Sequence, residues 1–110
     1  MRRVVVTGMG IICPIGNTLD EVTDALREGR SGVEFCQDYA DYGFRSHIHG
    51  SLKVNLDEAV DRKVRRFMGD GAAYNYLAMK QAVEDSGLAE DQVSNLRTGM
   101  VMGSGGSPTQ

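Results

Sequence analysis

Two short apolar runs, at residues 4–6 and 97–103, lie near the two ends of the chain. The first, Val4-Val5-Val6, leaves no polar face, and β-branched side chains favour an extended backbone. We therefore predict that residues 3–12 form a central strand covered on both sides, and that the second run forms another strand. Glycines follow both runs, and in open α/β sheets such positions bring the backbone close to a ligand or a packed neighbour.

A helix is predicted over residues 18–28. Thr18 is suited to cap it, Glu21 stands three residues further on as the second half of a capping box, and Gly29 ends it. The apolar side chains fall on one stripe, formed by Leu19, Val22, Ala25 and Leu26. The pattern is typical of a surface helix that covers a core from outside.

A second, longer helix is predicted from about residues 57–61 to Gly87. Apolar residues recur at helical spacing until its middle is apolar nearly all round, which indicates a buried helix. Gly69 and Gly71 indicate either that the helix proper starts after Asp70 or that another backbone passes close by. Val64, Phe67 and Met68 are expected to point inward.

The region between the two helices has weaker signals. Residues 33–36 could form an edge strand. Residues 47–49 and 52–54 are predicted to be the arms of a small hairpin that turns at Gly50 and Ser51.

The order strand, helices, strand predicts a βαβ crossover, and hence an α/β fold with a parallel sheet between helical layers. Two parallel strands buried on both faces need further strands and a second helical layer. We therefore expect residues 1–110 to be the first portion of a larger domain.

Composition narrows the class of protein. With 41% hydrophobic and 25% charged residues, the chain has the make-up of one globular domain. We expect a cytoplasmic protein with no membrane span, in which Cys13 and Cys36 are reduced and behave as small buried hydrophobes. A net charge of -3 argues against general affinity for nucleic acid.

One candidate chemistry is nucleotide binding. Gly8 and Gly10 after a valine-rich strand resemble the start of a dinucleotide fingerprint, and Glu34 stands at a tolerable distance for a ribose acid. However, Cys13 occupies the place of the third glycine, and the helix starts only at Thr18. A nucleotide-binding α/β domain stays open as an alternative.

Metal or thiol chemistry has less support. His47 and His49 would share one face of a strand, as two metal ligands must, but no third ligand is spaced to join them, so no metal site is predicted. A nucleophilic Cys13 or Cys36 would need an oriented base, and nothing local provides one.

The segment at residues 61–66 concentrates positive charge on an acidic protein. Arg62, Lys63 and Arg66 fall on one helical side and could dock an acidic partner. The alternative is a solvated face on which these cations pair with Asp57, Glu58 and Asp61. The pattern alone does not decide between the two.

Six motifs together, in order along nearly the whole chain, resemble the amino-terminal quarter of the β-ketoacyl-acyl-carrier-protein synthases. They are RVVVTGMG from Arg3, IGN from Ile15, LREGRSG from Leu26, FRSHIHG from Phe44, DRKVRRFM from Asp61 and GSGG from Gly103. The RSH and DRKV segments resemble the type I enzymes more than type II.

The resemblance implies a thiolase-like layered α/β/α fold and a homodimer that elongates fatty acids by decarboxylative condensation. It also implies that the catalytic cysteine and two histidines lie beyond Gln110, so that residues 1–110 alone are expected to be catalytically inactive. No cofactor is implied, because phosphopantetheine arrives on the acyl carrier protein. Arg62, Lys63 and Arg66, with Arg45 as a further candidate, match positions that dock this carrier. The loop Gly103-Ser104-Gly105-Gly106 is a candidate for the active-site wall.

Among the departures from the family pattern, one concerns the candidate active-site loop. The loop from Gly103 is one glycine shorter, which leaves the chain-length preference open. The resemblance also admits a type II synthase, or a relative that has lost its nucleophile, such as a chain-length-factor subunit.

Overall fold

The computed structural model describes residues 2–105. In chain order they form α1 (Leu19–Glu28), β1 (Val33–Phe35), α2 (Gln37–Asp41), β2 (Ile48–Gly50), α3 (Leu56–Ala59), α4 (Arg62–Arg65), α5 (Asp70–Ser86) and α6 (Glu90–Val93). The chain divides into two compact units. One consists of residues 12–54, and the other of residues 2–11 together with residues 55–105.

Helix α1 in the unit of residues 12–54 matches its prediction. The Thr18 hydroxyl accepts a hydrogen bond from the Glu21 amide at 3.2 Å, and Gly29 ends the helix in the left-handed conformation. The Glu21 carboxylate accepts from the amide of Asn17, one residue before the expected partner. Val22 and Ala25 are buried and contribute to the core with Cys36, whereas Leu26 of the predicted stripe is 68% exposed.

Strands β1 and β2 pair in antiparallel register, with Glu34 opposite His49. The edge strand at residues 33–36 is thus confirmed, but the hairpin around Gly50 and Ser51 is wrong. Residues 48–50 bond to a strand about fifteen positions upstream, because alternation marks a segment as extended without choosing its partner. Among residues 2–105 this antiparallel pair is the only sheet, and the predicted parallel pairing is absent from it.

The long helix predicted to end at Gly87 is three helices. Val60 and Gly69 both take extended backbone conformations, and Asn55 and Asp61 cap α3 and α4 with their side chains. Of the two explanations for the glycines, the first is confirmed: α5 begins at Asp70, with Gly69 before it. Helix α5 is not buried as predicted, since only Ala73 in it is fully covered.

The segment of residues 3–12 is not the central strand that the valines predict. Val4, Val5 and Val6 are 94%, 73% and 80% exposed, and no strand pairs with them within the described chain. The glycine prediction is confirmed, because Gly8 and Gly10 lie directly against α5. A Cβ on Gly10 would stand 1.9 Å from the carbonyl oxygen of Ala78, and one on Gly8 would stand 2.2 Å from that of Ala82.

The backbone of this segment bonds to side chains of α5 instead of to a neighbouring strand. The amide of Met9 donates to the Asp85 carboxylate at 2.9 Å, and the amide of Ile11 donates to Gln81 Oε1 at 3.0 Å. These contacts satisfy two amides that a sheet would otherwise pair.

The second predicted strand, at residues 97–103, is also absent: these residues form no strand, and Met100 and Val101 are 72% and 95% exposed. The described chain is therefore a mixed α/β structure in which helices predominate. None of its helices combines the length and the apolar character needed to cross a membrane.

Candidate docking surface

Helix α4 presents the positive charge that the sequence places at residues 61–66. It is a single turn, capped by the Asp61 carboxylate, which accepts from the Lys63 amide at 2.8 Å. Arg66 follows as the C-cap residue and stays in the right-handed helical region. Arg62, Lys63 and Arg66, here called the cationic cluster, therefore project from one turn and its end.

All three residues of the cationic cluster are exposed. Within residues 2–105, no carboxylate lies within ion-pairing distance of any of them. The pairing with Asp57, Glu58 and Asp61 that the solvated-face alternative requires is not found: Asp57 pairs with Arg65, and Asp61 caps α4. The cluster thus leaves three positive charges available to a partner.

Arg65, in the middle of these cations, behaves differently. Its side chain is only 22% exposed, and its guanidinium contacts the Asp70 carboxylate at 2.5 Å and the Asp57 carboxylate at 3.6 Å. It also donates to the carbonyl oxygen of Met68 at 2.5 Å. Sequence reasoning missed this residue because Asp70 is five positions away, a spacing that places no pair on one helix face.

Two of the three apolar residues beside the cluster, Val64 and Phe67, do not point inward as expected. Val64 is 39% exposed and Phe67 is 79% exposed, whereas Met68 is half-buried. The guanidinium of Arg66 lies 4.5 Å from the centroid of the Phe67 ring, within the range of a cation–π interaction. The apolar side chains therefore do not anchor α4.

The remaining predicted docking cation, Arg45, belongs to the other unit. It lies between α2 and β2 and is exposed.

Of the predicted active-site loop, Gly103, Ser104 and Gly105 are exposed and take no regular structure, and Gly106 lies outside the described residues. Just before this loop, Met100 and Met102 line an open apolar groove of about 560 Å³. Side chains of α5 form its other wall, among them Tyr76, Met79 and Val83.

The geometry at the first glycines does not support nucleotide binding. The backbone of α5 fills the space beside Gly8 and Gly10 that a pyrophosphate would need. Gly8 and Gly10 allow a helix, not a phosphate, to approach the chain.

Glu34, the candidate ribose acid, is engaged in a polar cluster on the sheet. It accepts hydrogen bonds from Lys53, at 2.5 Å, and from the hydroxyl of Ser51, and His49 Nε2 lies 3.7 Å away. The hydrogen bond from Lys53, then that from Ser51, lowers the pKa of Glu34 below its ordinary value.

The candidate histidines contact different partners. His49 faces Glu34 and Tyr39, while His47 makes an edge contact with Phe35. Within residues 2–105 no group of three or more metal-ligating side chains forms. Cys13 and Cys36 are free thiols, the first half-buried and the second buried.

Comparison with known proteins identifies the class. The family model described as the N-terminal domain of beta-ketoacyl synthase matches residues 1–110. The chain belongs to this family.

Individual relatives agree with this assignment. The chain is 55% identical over 105 residues to 3-oxoacyl-acyl-carrier-protein synthase 1 of Haemophilus influenzae, an alignment that covers 96% of this chain and 26% of the relative. It is 49% identical to synthase 1 of Escherichia coli K12, with the same two coverages, and 36% identical to synthase 2 of Vibrio cholerae, with coverages of 94% and 25%. The chain spans about a quarter of the length of these relatives. The greater similarity to the two type 1 enzymes agrees with the type I resemblance of the motifs.

Proposed function

We propose that the protein to which this chain belongs is a β-ketoacyl-acyl-carrier-protein synthase. It condenses an acyl chain with malonyl-acyl carrier protein, with loss of carbon dioxide, and so elongates fatty acids. In this proposal the chain supplies the first portion of a thiolase-like layered fold. The nucleophilic cysteine and two histidines lie beyond Gln110, and the enzyme is a cytoplasmic homodimer.

The substrate requires no cofactor held by this chain, because phosphopantetheine is attached to the carrier protein. Residues 103–106 form part of the wall of the acyl site. The high identity to the two type 1 synthases supports both points.

The function proposed for the described residues is to dock the acyl carrier protein. The cationic cluster binds the acidic surface around the phosphopantetheine serine of the carrier. Arg45, in the other unit, is proposed as a separate carrier-binding residue. The observation that carries this proposal is the lack of an acidic partner for Arg62, Lys63 and Arg66 within the described chain. Unpaired, exposed cations on a protein of net charge -3 favour an acidic partner over a neutral or basic one.

The expected size of the effect follows from the exposure of the cluster. Each exposed ion pair contributes about 0.3–0.5 kcal/mol, since water and salt screen it. Reversing two charges removes two attractions and adds two repulsions, which together cost about 1.2–2 kcal/mol. Because 1.4 kcal/mol is a factor of ten, the KM for carrier-bound substrate should rise about tenfold at low salt.

The test is the double variant Arg62→Glu, Lys63→Glu in the full-length enzyme, assayed with malonyl-acyl carrier protein at low and high salt. A matched control, Arg27→Glu with Arg30→Glu, changes the net charge equally at exposed sites around the end of α1. We expect KM to rise only in the first variant, and the difference to shrink as salt is added. An unchanged KM in the first variant, or an equal rise in the control, would contradict the docking role.

A further inference from the structure

We propose that Arg65 is a positioning residue for carrier docking: its guanidinium holds α4 so that the cationic cluster faces the partner, and it does not itself bind the carrier. This inference rests on the docking function proposed above. In this proposal the three cations of the cationic cluster bind the carrier, and the fourth cation of the same segment, Arg65, positions them.

The contacts of Arg65 join three parts of the unit. Asp57 belongs to α3, Met68 to the link after α4, and Asp70 is the first residue of α5. The guanidinium donates hydrogen bonds to Met68 and Asp70 from its two terminal nitrogens, whereas its Nε faces Asp57 at 3.6 Å as an ion pair without a hydrogen bond. A planar group with several donors can reach such divergent acceptors, which a lysine ammonium on its flexible stem does less well. Arg65 thereby ties the helix of the cluster to both of its neighbours.

Helix α4 needs such a tie because it is too short to be stable alone. A four-residue helix makes hardly more than one turn of hydrogen bonds, and helices of that length do not persist in water without tertiary contacts. Apolar anchoring is weak here, since Val64 and Phe67 are 39% and 79% exposed. The anchor of α4 on its neighbours is therefore ionic, and Arg65 supplies it.

Arg65 also compensates negative charge behind the cluster. Without it, the carboxylates of Asp57 and Asp70 would stand uncompensated close to the cluster and weaken its attraction for an acidic partner. Because the Arg65 side chain is mostly buried and its guanidinium already makes three contacts, a carrier at the surface has little access to it.

The discriminating variant is Asp70→Asn in the full-length enzyme, because two explanations predict opposite signs. If only total charge mattered, removal of a carboxylate and release of Arg65 would tighten the binding of acyl carrier protein. If Arg65 positions α4, loss of its partner should weaken binding. We expect Kd, measured by fluorescence anisotropy with labelled acyl carrier protein, to rise about threefold for Asp70→Asn and for Arg65→Met.

A double-mutant cycle tests whether the effect passes through the cluster. In the background Arg62→Ala, Lys63→Ala, Arg66→Ala, the effects of Asp70→Asn and Arg65→Met on Kd should disappear, since nothing remains to position. Asp57→Asn is the matched control: its carboxylate is 86% exposed and lies 3.6 Å from the guanidinium, so its effect should be smaller than that of Asp70→Asn. If the Arg65→Met variant does not fold, the Asp70→Asn variant still tests the positioning role.

Three results would overturn the inference. Tighter or unchanged binding by Asp70→Asn excludes the positioning role, and so does a threefold loss that persists in the cluster-free background. If the triple alanine variant itself binds the carrier as tightly as the wild type, the docking proposal fails, and the role of Arg65 fails with it.

Discussion

Substitution of Gly10 tests the close packing of residues 8–11 against α5. A Cβ at this position would lie 1.9 Å from the carbonyl oxygen of Ala78 and 2.8 Å from the amide nitrogen of Ala82, both backbone atoms of α5. To reach an ordinary contact of 3.4 Å, the segment and the helix must separate by about 1.5 Å, which is the difference between 3.4 and 1.9 Å. Gly10→Ala should therefore detach the segment from the helix.

The magnitude follows from the hydrogen bonds that this separation breaks. The amide of Ile11 bonds to Gln81, and that of Met9 bonds to the charged Asp85. A neutral hydrogen bond contributes about 0.5–1.5 kcal/mol and one to a charged group about 1.5–3 kcal/mol. We expect Gly10→Ala to lower the free energy of unfolding by about 2–4.5 kcal/mol.

The assay is urea denaturation of the full-length protein, with Gly71→Ala as the matched control. Nothing lies within 4 Å of a Cβ at Gly71, which is inside α5, so the same substitution there should be neutral or stabilising by up to about 1 kcal/mol. Equal free energies of unfolding for Gly10→Ala and the wild type would refute the close approach of residues 8–11 to α5.

Three further predictions concern other parts of the chain. Thr18→Ala should lower the free energy of unfolding by about 1 kcal/mol in urea denaturation, because the Glu21 amide loses its acceptor, and Thr18→Ser should restore it. Since the folded-state pKa of Glu34 is depressed, its stabilising effect should be present above its ordinary value of 4.5 and disappear as the pH falls through the folded pKa. Lys53→Met should raise the Glu34 pKa towards that value in an NMR titration, and an unchanged pKa would argue against the hydrogen bond. The isolated 110-residue chain should bind a hydrophobic dye and show weak amide protection, because Val4, Val6 and Val101 are 80–95% exposed; a sharp cooperative melt without dye binding would contradict this.

Sequence reasoning succeeded where the determining contacts are local. The Thr18 cap and the left-handed glycine ends of α1 and α5 depend on residues within one turn of each other. Their signals can therefore be read from a few adjacent positions. Residues 33–35 were also correctly predicted to be extended.

Sequence reasoning failed where an element is defined by a hydrogen-bonded neighbour that is distant in the sequence. Val4-Val5-Val6 has high strand propensity, but a strand is defined by a hydrogen-bonded neighbour, and none pairs with it within residues 2–105. The hairpin at Gly50 was wrong for the same reason, since β2 pairs with β1 and not with the residues that follow it.

For the candidate docking surface, the sequence predicted the exposed cationic cluster but missed the role of Arg65. The sequence grouped Arg62, Lys63 and Arg66 on one helical side, and the structure exposes all three without acidic partners in the described chain. The separate role of Arg65 could not be predicted, because it depends on the break at Gly69 that brings Asp70 within reach.

The hydrogen bond from Met9 to Asp85 joins residues 76 positions apart, and this separation sets an order of events during synthesis. At about 5–20 residues per second, roughly 4–15 seconds pass between the emergence of Met9 from the ribosome and that of its acceptor. Throughout this interval residues 8–11 lack the helix that they pack against in the folded chain. Residues 8–11 are thus synthesised well before the helix that fixes them, which gives a ribosome-associated chaperone time to act on this segment.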